Sequence, residues 1–390
     1  MTPQHTPTRF DALGLPDFIL RQIKRMGFTT PTPIQAQAIP VLMDGADVIG
    51  LAQTGTGKTL AFAAPMAASL RRGEMGLVLA PTRELAQQIE ETFIELGVHS
   101  TLLVGGTPIR PQIAALKRYP DVVVATPGRL IDHLEQKTID LRCVGILVLD
   151  EADRMLDIGF APAIKRIVSE TPEERQTMLF SATFGKEVAS MANKYLYRPV
   201  RIEVERAGSS NKDVVHELVV IDQADKPRVL KKILRDFDGT VLVFTRTRIG
   251  ARRLSRKLRD RGHSAAELHA DRSLEERRAA LDGFKSGRYR VLVATDIAAR
   301  GIDVHEVGVV LNYDVPRSPE DYVHRTGRTG RAGNKGLAVT FATPDQGREV
   351  KAIEKFVQFE LPVSDRSTSR LEQPMKKRGP RRRYRRASVA

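Results

Sequence analysis

The sequence has one cysteine and no tryptophan, and only 5% of its 390 residues are aromatic. A single thiol, Cys143, excludes an internal disulfide framework and a zinc site built from several cysteines. The scarcity of aromatic rings argues against an extensive surface for stacking bases. The first ten residues contain no apolar signal core, and no stretch has the apolar length of a membrane helix. These absences predict a cytoplasmic protein that does not contact a membrane.

Positive charge is in excess and unevenly placed. Lysine and arginine total 62 against 47 acidic residues, which gives a net charge of +15. From Arg366 to the end there are ten basic residues and one acid, so this tail carries +9 and the first 365 residues carry +6. We expect a polyanionic partner and a tail that is disordered in isolation. Nucleic-acid contact through arginines around Tyr384 is favoured over a purely solubilising tail.

Short β-branched or leucine-rich runs alternate with amphipathic stretches of helical length. This pattern is typical of a mostly parallel sheet covered by helices on both faces, which is an α/β fold. The alternation occurs twice, and the small polar segment AGSSNK near residue 207 separates the two series. We predict an N-terminal domain over 1–205, a linker over 206–212, a C-terminal domain over 213–365 and the basic tail over 366–390.

A phosphate-binding loop is predicted after the first strand, which ends at Leu51. The segment AQTGTGKT precedes a helical run, which is the context such a loop requires, although alanine replaces the first glycine of the usual pattern. Its glycines allow backbone amides to surround phosphates, its lysine can reach the β and γ oxygens, and its last hydroxyl can bind Mg²⁺. The expected nucleotide contacts are Ala52, Gln53, Thr54, Gly55, Thr56, Gly57, Lys58 and Thr59.

Two adjacent carboxylates follow the hydrophobic strand ILVL. Asp150 and Glu151 are expected at the carboxyl edge of the sheet, where ligands of α/β folds bind. With a phosphate loop upstream, we predict that Asp150 belongs to the Mg²⁺ shell and that Glu151 polarises the attacking water. The alternative is that these acids only cap a helix or line a solvated turn.

The second half of the chain contains no phosphate loop, but it has the run HRTGRTGR from His324 to Arg331. Arginines spaced by three and separated by glycines place rigid cationic groups on an exposed turn, suited to the γ-phosphate of a nucleotide bound across a cleft. A solvated basic face is the alternative, but it would not need the glycines.

These motifs, in this order, resemble the DEAD-box family of ATP-dependent RNA helicases, over about Phe10 to Phe359. The length and the basic tail are most similar to the bacterial RhlE-like subgroup. The resemblance implies two tandem RecA-like domains, ATP and Mg²⁺ as cofactors, RNA as the partner, and one complete site per chain, so that a monomer suffices. Protein partners stay open.

The segment GFTTPTPIQ, ending at Gln35, looks like the family's Q motif, with Phe10 as its upstream aromatic residue. By resemblance it reads adenine, and the donor and acceptor of one glutamine amide match N6 and N7 of that base. A helix-capping turn is the alternative, and it is expected to leave the glutamine unexplained.

Three turns of the first domain are similar to the family's RNA-contact motifs. Each follows a predicted strand, so backbone amides and arginines can line a sugar-phosphate track. Each alone could be only a strand-to-helix turn. The residues concerned are Pro81, Thr82, Arg83, Gly105, Gly106, Thr126, Pro127, Gly128 and Arg129.

The resemblance also assigns roles in the second domain and in the segment Ser181-Ala-Thr183. Thr245, Arg246 and Thr295 are implied to face RNA, and Gly301 and Asp303 to lie near the nucleotide. His324 is implied to belong to the catalytic set, with Arg328 and Arg331 as arginine fingers. Ser181 and Thr183 are implied to couple hydrolysis to unwinding through bonds to the neighbouring carboxylates. Leu274 and Ala270 depart from the glutamine and glycine that the family usually has there.

The expected function is RNA-stimulated ATP hydrolysis in a cleft between domains, coupled to local opening of RNA duplexes. An ATP-gated RNA clamp or assembly platform uses the same groove and is the main alternative. A translocase on double-stranded DNA is less consistent with the resemblance, which implies local strand opening.

Overall fold

The computed structural model describes residues 9–52, 55–204, 214–299, 307–330 and 335–371. Within these ranges the chain forms two separate parallel sheets. We call the part built on the first sheet the first lobe and the part built on the second sheet the second lobe. Apolar runs such as Val122–Ala125 and Val291–Ala294 are buried on both faces, which explains why the sheets are parallel and covered by helices.

The first sheet has seven strands in the order β3-β4-β2-β5-β6-β1-β7. Its strands are β1 Val48–Leu51, β2 Met75–Leu79, β3 Ser100–Leu103, β4 Val122–Ala125, β5 Val144–Leu149, β6 Gln176–Ser181 and β7 Val200–Glu203. Its helices are α1 Asp17–Arg25, α2 Pro33–Met43, α3 Lys58–Ser69, α4 Arg83–Glu95, α5 Ile109–Leu116, α6 Pro127–Glu135, α7 Ala152–Asp157, α8 Ala161–Ser169 and α9 Lys186–Tyr195, with a 3₁₀ turn at Phe10–Leu13.

The second sheet has six strands in the order β10-β11-β9-β12-β13-β8. Its strands are β8 Val214–Val220, β9 Val241–Phe244, β10 Ala265–Leu268, β11 Val291–Ala294, β12 Val309–Asn312 and β13 Gly336–Ala342. Its helices are α10 Lys226–Asp236, α11 Arg248–Arg259, α12 Leu274–Lys285, α13 Asp296–Ala299, α14 Pro319–Thr326 and α15 Gly347–Val357, with a 3₁₀ turn at Pro344–Gln346.

Each sheet has an apolar core on both faces. In the second lobe, α10 and α11 cover one face and α12 covers the other, while α14 and α15 pack beside β8. The predicted α/β class and the parallel arrangement are confirmed. The apolar runs of both series form strands. The sequence pattern does not predict β7, because three of its four residues, in the segment VRIE, are exposed and the strand lies at the sheet edge.

The segment after α15 folds back onto the second lobe. Val363 forms a bridge to Leu218, and the Thr368 N–H donates to the Val220 carbonyl at 3.0 Å. Arg366 bonds to Glu217, and Ser367, Thr368 and Ser369 bond to Val220, so 366–369, predicted as the start of the tail, are hydrogen-bonded to β8. The rest of the predicted tail, from 372, and the predicted linker lie outside the described residues, and the domain boundaries stay a prediction. In the described ranges, no helix has the length and apolar character needed to span a membrane.

Candidate active site

The strand order of the first lobe separates two groups of predicted site residues. β5, β6 and β1 are neighbours and lead into the carboxylate pair, the Ser181 segment and the phosphate loop. β3, β4 and β2 are neighbours in the other half and lead into the three turns assigned to RNA contact. Because all strands are parallel, both groups lie along one edge of one sheet.

The loop after β1 has the backbone of a phosphate-binding loop. Gly55 and Gly57 have φ angles of +86° and +87°, which side chains with a Cβ rarely adopt. Lys58 begins α3, is 6% exposed, and donates from Nζ to the Ala52 carbonyl at 2.9 Å. Half-buried Thr56 and Thr59 lie on this loop and in the first turn of α3. Gln53 and Thr54 lie outside the described residues.

The carboxylates of Asp150 and Glu151 differ in charge state because they face different neighbours. Burial raises the pKa of Asp150 to about 7, although the Lys58 charge opposes that rise. Burial also opposes ionisation of Glu151, but the cations of Arg154, Lys58 and Arg328 together lower its pKa to about 2. Glu151 therefore stays an anion at neutral pH.

Glu151 is held in a specific orientation. It has a φ of +49°, an uncommon conformation for a residue with a side chain, and it caps α7. Its Oε2 accepts from Arg154 Nη1 at 3.0 Å, and both side chains are almost fully buried. The sequence analysis did not single out Arg154, although its spacing of three from Glu151 at a helix start predicts such a contact.

The oxygens of Asp150 and Thr59 fit the donor set that Mg²⁺ prefers, which is carboxylate, hydroxyl and water with substrate phosphate. Asp150 is 2% exposed, and its Oδ1 accepts from the neighbouring Glu151 N–H. A buried carboxylate whose ionisation is opposed by burial is stabilised by a cation. Among the described residues no cluster of three His, Cys, Asp or Glu side chains could hold a metal alone, so most ligands would come from nucleotide and water.

The Ser181 segment contacts a different carboxylate from the expected pair. Thr183 donates from both its N–H and its Oγ1 to Asp153 Oδ2, each at 2.9 Å. Ser181 Oγ donates to the Thr183 carbonyl at 2.7 Å. The expected bonds to the acidic motif therefore form at Asp153.

Two predicted residues of the second lobe lie at this site. His324 Nε2 is 3.8 Å from Asp153 Oδ2. Arg328 is 2% exposed, and its positive charge contributes to the low pKa of Glu151. The structure therefore brings the acidic motif of one lobe next to the arginine-rich turn of the other. Arg331, Gly301 and Asp303 lie outside the described residues.

The two predicted adenine contacts are buried in the first lobe. Gln35 is 4% exposed, its Oε1 accepts from the Thr32 N–H at 2.9 Å, and its Nε2 donates to the Gly57 carbonyl at 3.0 Å. The bond to Thr32 belongs to a capping box for α2, and the bond to Gly57 ties the start of this helix to the phosphate loop. The expectation that a capping turn leaves this glutamine unexplained is wrong, because the cap uses it. Phe10 is 6% exposed and packs in the first-lobe core.

The three predicted RNA turns of the first lobe contact one another. The Arg83 guanidinium lies over Gly105 and Gly106, where a Cβ on Gly106 would collide with it. Arg129 donates from both terminal nitrogens to the Thr107 carbonyl, each at 3.1 Å. The two glycines therefore leave room for the Arg83 side chain. The sequence pattern alone does not reveal this reason for having glycine at these positions.

A groove of about 470 Å³ lies over these turns. Of the predicted RNA contacts it is lined by Pro81, Thr82, Arg83, Gly105, Thr126, Gly128 and Arg129. Gly106 and Pro127 do not line it. Thr82 also caps α4 by accepting from the Leu85 N–H at 3.3 Å, so the helix-turn interpretation holds for this residue too.

The second lobe closes this groove. Ala270 lines it, and Arg277 Nη2 is 2.6 Å from Glu84 Oε1 of the first lobe. Both side chains of this pair are 10% exposed. Arg277 lies in the segment 274–277, which departs from the family pattern. This segment therefore still contacts the first lobe, at Glu84 in the first turn of α4.

An adjoining cavity of about 850 Å³ lies at the strand ends of the second lobe, and Arg246, Thr247 and Thr295 line it. Thr245 does not line it, because it is 1% exposed and its hydroxyl donates to the Thr247 carbonyl at 3.3 Å. That Thr245, Arg246 and Thr295 face RNA stays a prediction.

Two family models match the chain: DEAD/DEAH box helicase over residues 32–191 and Helicase conserved C-terminal domain over residues 225–333. DEAD-box ATP-dependent RNA helicase 20 of Arabidopsis thaliana is 44% identical over 364 residues, which cover 90% of this chain and 73% of that protein. The chain belongs to the DEAD-box family of ATP-dependent RNA helicases. DEAD-box helicase CshA of Bacillus cereus is 41% identical, with 93% of this chain and 70% of that protein covered.

Solved DEAD-box structures have the same fold. Dbp5 of S. cerevisiae, bound to RNA and ADP BeF3, matches with a TM-score of 0.83 at 33% identity, over 92% of this chain and 96% of that one. Mss116p, bound to ssRNA and AMP-PNP, also matches with a TM-score of 0.83, at 29% identity, over 95% of this chain and 80% of that one. The two lobes are therefore RecA-like. Several relatives are longer, and the chain spans 62% of Arabidopsis helicase 30 and 32% of Arabidopsis helicase 40.

Proposed function

We propose that this DEAD-box chain hydrolyses ATP in the cleft between its lobes only when RNA is bound, and that each cycle opens a short RNA duplex locally. The observation that carries the proposal is that the arginine-rich turn of the second lobe meets the acidic motif of the first, with His324 Nε2 3.8 Å from Asp153 Oδ2. The charge of Arg328 on the same turn helps to lower the pKa of Glu151. The same closure places Arg277 against Glu84 over the candidate RNA groove. One movement of the lobes therefore completes both sites, and this is how hydrolysis would depend on RNA.

The residues of the phosphate site have distinct roles. The amides around Gly55 and Gly57 and the Lys58 ammonium hold the phosphates. Asp150 and Thr59 would hold Mg²⁺, which when bound neutralises phosphate charge. Arg328 stabilises the charge that develops on the transferred group. To hold the phosphates, the Lys58 ammonium must break its hydrogen bond to the Ala52 carbonyl.

Glu151 is suited to orienting the attacking water. A general base is most effective when its pKa lies near the working pH, and the low pKa of Glu151 makes it a weak proton acceptor. Its anionic carboxylate can still accept a hydrogen bond from water and fix the direction of attack. Arg154, which holds the other side of this carboxylate, is the positioning residue.

RNA binding is proposed to be directed at the backbone. The groove over the turns of the first lobe contains Arg83, Arg129 and Arg277 and glycine turns, which suit phosphates and sugars and carry little sequence information. Dbp5 and Mss116p, which share the fold, were solved with RNA. Discrimination against DNA would require contacts to the 2′-hydroxyl.

An ATP-gated RNA clamp is the alternative function of the same groove. The two differ in product release, because a clamp retains strands whereas a helicase frees them repeatedly. Displacement of a short labelled duplex under multiple-turnover conditions separates them. Steady release supports the helicase, and a single burst without turnover supports the clamp.

Several finer assignments belong to the same proposal. They are membership of the RhlE-like subgroup, Mg²⁺ as the metal, a cytoplasmic location, activity as a monomer, the adenine-reading role of Gln35 and Phe10, and a contribution of the basic tail to RNA affinity. Since residues 366–369 bond to β8 and Leu371 packs against the apolar core beside it, a truncation that tests the tail should begin at 372.

The test is the ATPase rate with and without RNA for the unmodified chain and for Glu151→Gln. We expect strong RNA stimulation in the former and a loss of about 10²-fold in the latter, because the attacking water is no longer held in position, with ATP affinity retained. Glu95→Gln, an exposed carboxylate on α4, is the matched control and should be unchanged. RNA-independent turnover, or full activity of Glu151→Gln, would contradict the proposal.

A further inference from the structure

The positive charge of the body of this protein is concentrated on one helix. The tail accounts for nine of the fifteen excess charges, which leaves six for residues 1–365. Residues 246–261 alone contain eight arginines and lysines and one acid, a net charge of +7. The remainder of the body therefore has a net charge of −1. This segment consists of α11 and the two residues on each side of it.

One side of α11 is buried and the other is cationic. Ala251, Leu254 and Leu258 pack into the second-lobe core. Arg253, Arg256 and Lys257, at helical spacings of three and four, are exposed on a shared side, and we call these three residues the α11 face. In the part of the chain that the structure describes, none of the three forms an ion pair. Arg248 and Arg252, by contrast, share Asp271.

Helix stability does not account for these charges. Cations in the last turn interact favourably with the helix dipole, which applies to Arg256 and Lys257. However, Arg252 with Arg256 and Arg253 with Lys257 are like-charged pairs at a spacing of four, which destabilise a helix. No glutamate or aspartate lies within α11 to offset the repulsion between these cations. A bound polyanion would offset it.

The helix begins at the cavity that adjoins the candidate RNA groove. Thr247 caps it by accepting from the Gly250 N–H at 3.0 Å, and Arg246, Thr247 and Arg248 all line the cavity at the strand ends. From there α11 runs back along the sheet for about 18 Å. A strand that leaves this cavity along the second lobe would therefore meet the α11 face.

We propose that the α11 face binds the phosphates of the RNA segment that flanks the one held in the groove. This inference rests on the proposed function, because it assumes that the groove holds RNA. RNA is favoured over an acidic protein because α11 starts at the cavity that adjoins the groove and presents phosphate-binding groups at regular helical spacing. The contact adds affinity for long RNA without entering the active site.

The test compares two RNA lengths and two triple variants of the full chain. Single-strand sites typically cover about 4 to 16 nucleotides, so an RNA of about six nucleotides fills the groove and one of about twenty adds flanks. The test variant is Arg253→Gln/Arg256→Gln/Lys257→Gln. The matched control, Arg348→Gln/Lys351→Gln/Lys355→Gln, removes three exposed cations from α15, which lies beside β8 at the opposite edge of the sheet. Binding is measured by fluorescence anisotropy with AMP-PNP over a range of salt concentrations.

We expect the α11 variant to bind the long RNA roughly ten-fold more weakly at low salt, with the slope of log affinity against log salt reduced by about 2. Its affinity for the short RNA should equal that of the unmodified chain. The α15 control should bind both RNAs as the unmodified chain does. Equal losses in both variants, or an equal loss on both RNAs, would overturn the proposal. A loss of affinity for an acidic protein but not for long RNA would assign the face to a protein instead.

The proposed function is monitored separately, by the ATPase rate of the unmodified chain on the short RNA. If that RNA does not stimulate hydrolysis, the proposed function fails whatever the anisotropy shows. If the short RNA does stimulate hydrolysis, but the α11 variant binds the long RNA as tightly as the α15 control does, only the role of the α11 face in RNA binding is contradicted.

Discussion

The two lobes have the same architecture and contribute opposite chemistry. Both are parallel sheets with their candidate site residues after the carboxyl ends of strands. The first lobe provides glycine turns, a lysine and carboxylates, as at Gly57, Lys58 and Glu151. The second provides guanidinium groups, as at Arg277 and Arg328, and its sequence has no phosphate loop. Because each lobe has only part of the site, activity should depend on their approach, and variants at the contacts should affect it most.

The largest effect is expected for Arg328→Ala, which removes the second lobe's charge from the nucleotide site. RNA-stimulated turnover should fall about 10³- to 10⁵-fold, because an arginine finger acts mainly on the transition state. ATP and RNA affinities should change far less. The measurement is phosphate release at saturating RNA. Lys351→Ala, an exposed cation on α15, is the control, and unaltered turnover of Arg328→Ala would show that the lobes do not share the site.

A smaller effect is expected for Arg277→Gln, which breaks the contact over the RNA groove. Since the Glu84–Arg277 pair is largely buried, loss of one partner should cost about 2 kcal/mol or more, or roughly 30-fold in turnover at low RNA concentration. Saturating RNA should restore much of the rate. Arg278→Gln, an exposed neighbour on the same helix, should behave as the unmodified chain. If both variants are equally impaired, the pair does not contribute to closure.

The smallest effect concerns the stability of the second lobe. His216 Nδ1 is 2.6 Å from Tyr322 Oη of α14, and burial lowers the pKa of His216 to about 4. Because the unfolded chain protonates this ring near pH 6.5, the native state loses stability as the pH falls from about 6.5 to about 4, by on the order of 1 to 3 kcal/mol. His216→Phe should remove this part of the pH dependence.

Urea unfolding at pH 7 and pH 5 measures the effect on stability. His99→Phe, at an exposed position of the first lobe, is the control and should keep the pH dependence of the unmodified chain. His133 of the first lobe has a pKa lowered mainly by burial as well, so some pH dependence should persist in His216→Phe. If that variant has the full pH dependence, the second lobe does not account for this part of it.

Local patterns predicted the fold and the phosphate loop because they are set by neighbouring residues. Alternating apolar runs gave the buried strands, and Gly55 and Gly57 marked backbone that few other residues adopt. The contacts that the sequence did not predict are made between distant segments. Gln35 bonds to the Gly57 carbonyl, and Arg277 meets Glu84 of the other lobe. Thr245 was assigned by its place in a motif, but the burial of its hydroxyl depends on how α11 begins.

The most direct test is the structure of the complex with ADP–BeF3 and a short RNA. The account predicts that the Arg328 guanidinium lies within hydrogen-bond distance of the beryllium fluoride, which replaces the γ-phosphate, while Arg277 remains paired with Glu84. A complex in which both ligands are bound and Arg328 stays remote from the fluoride would contradict it.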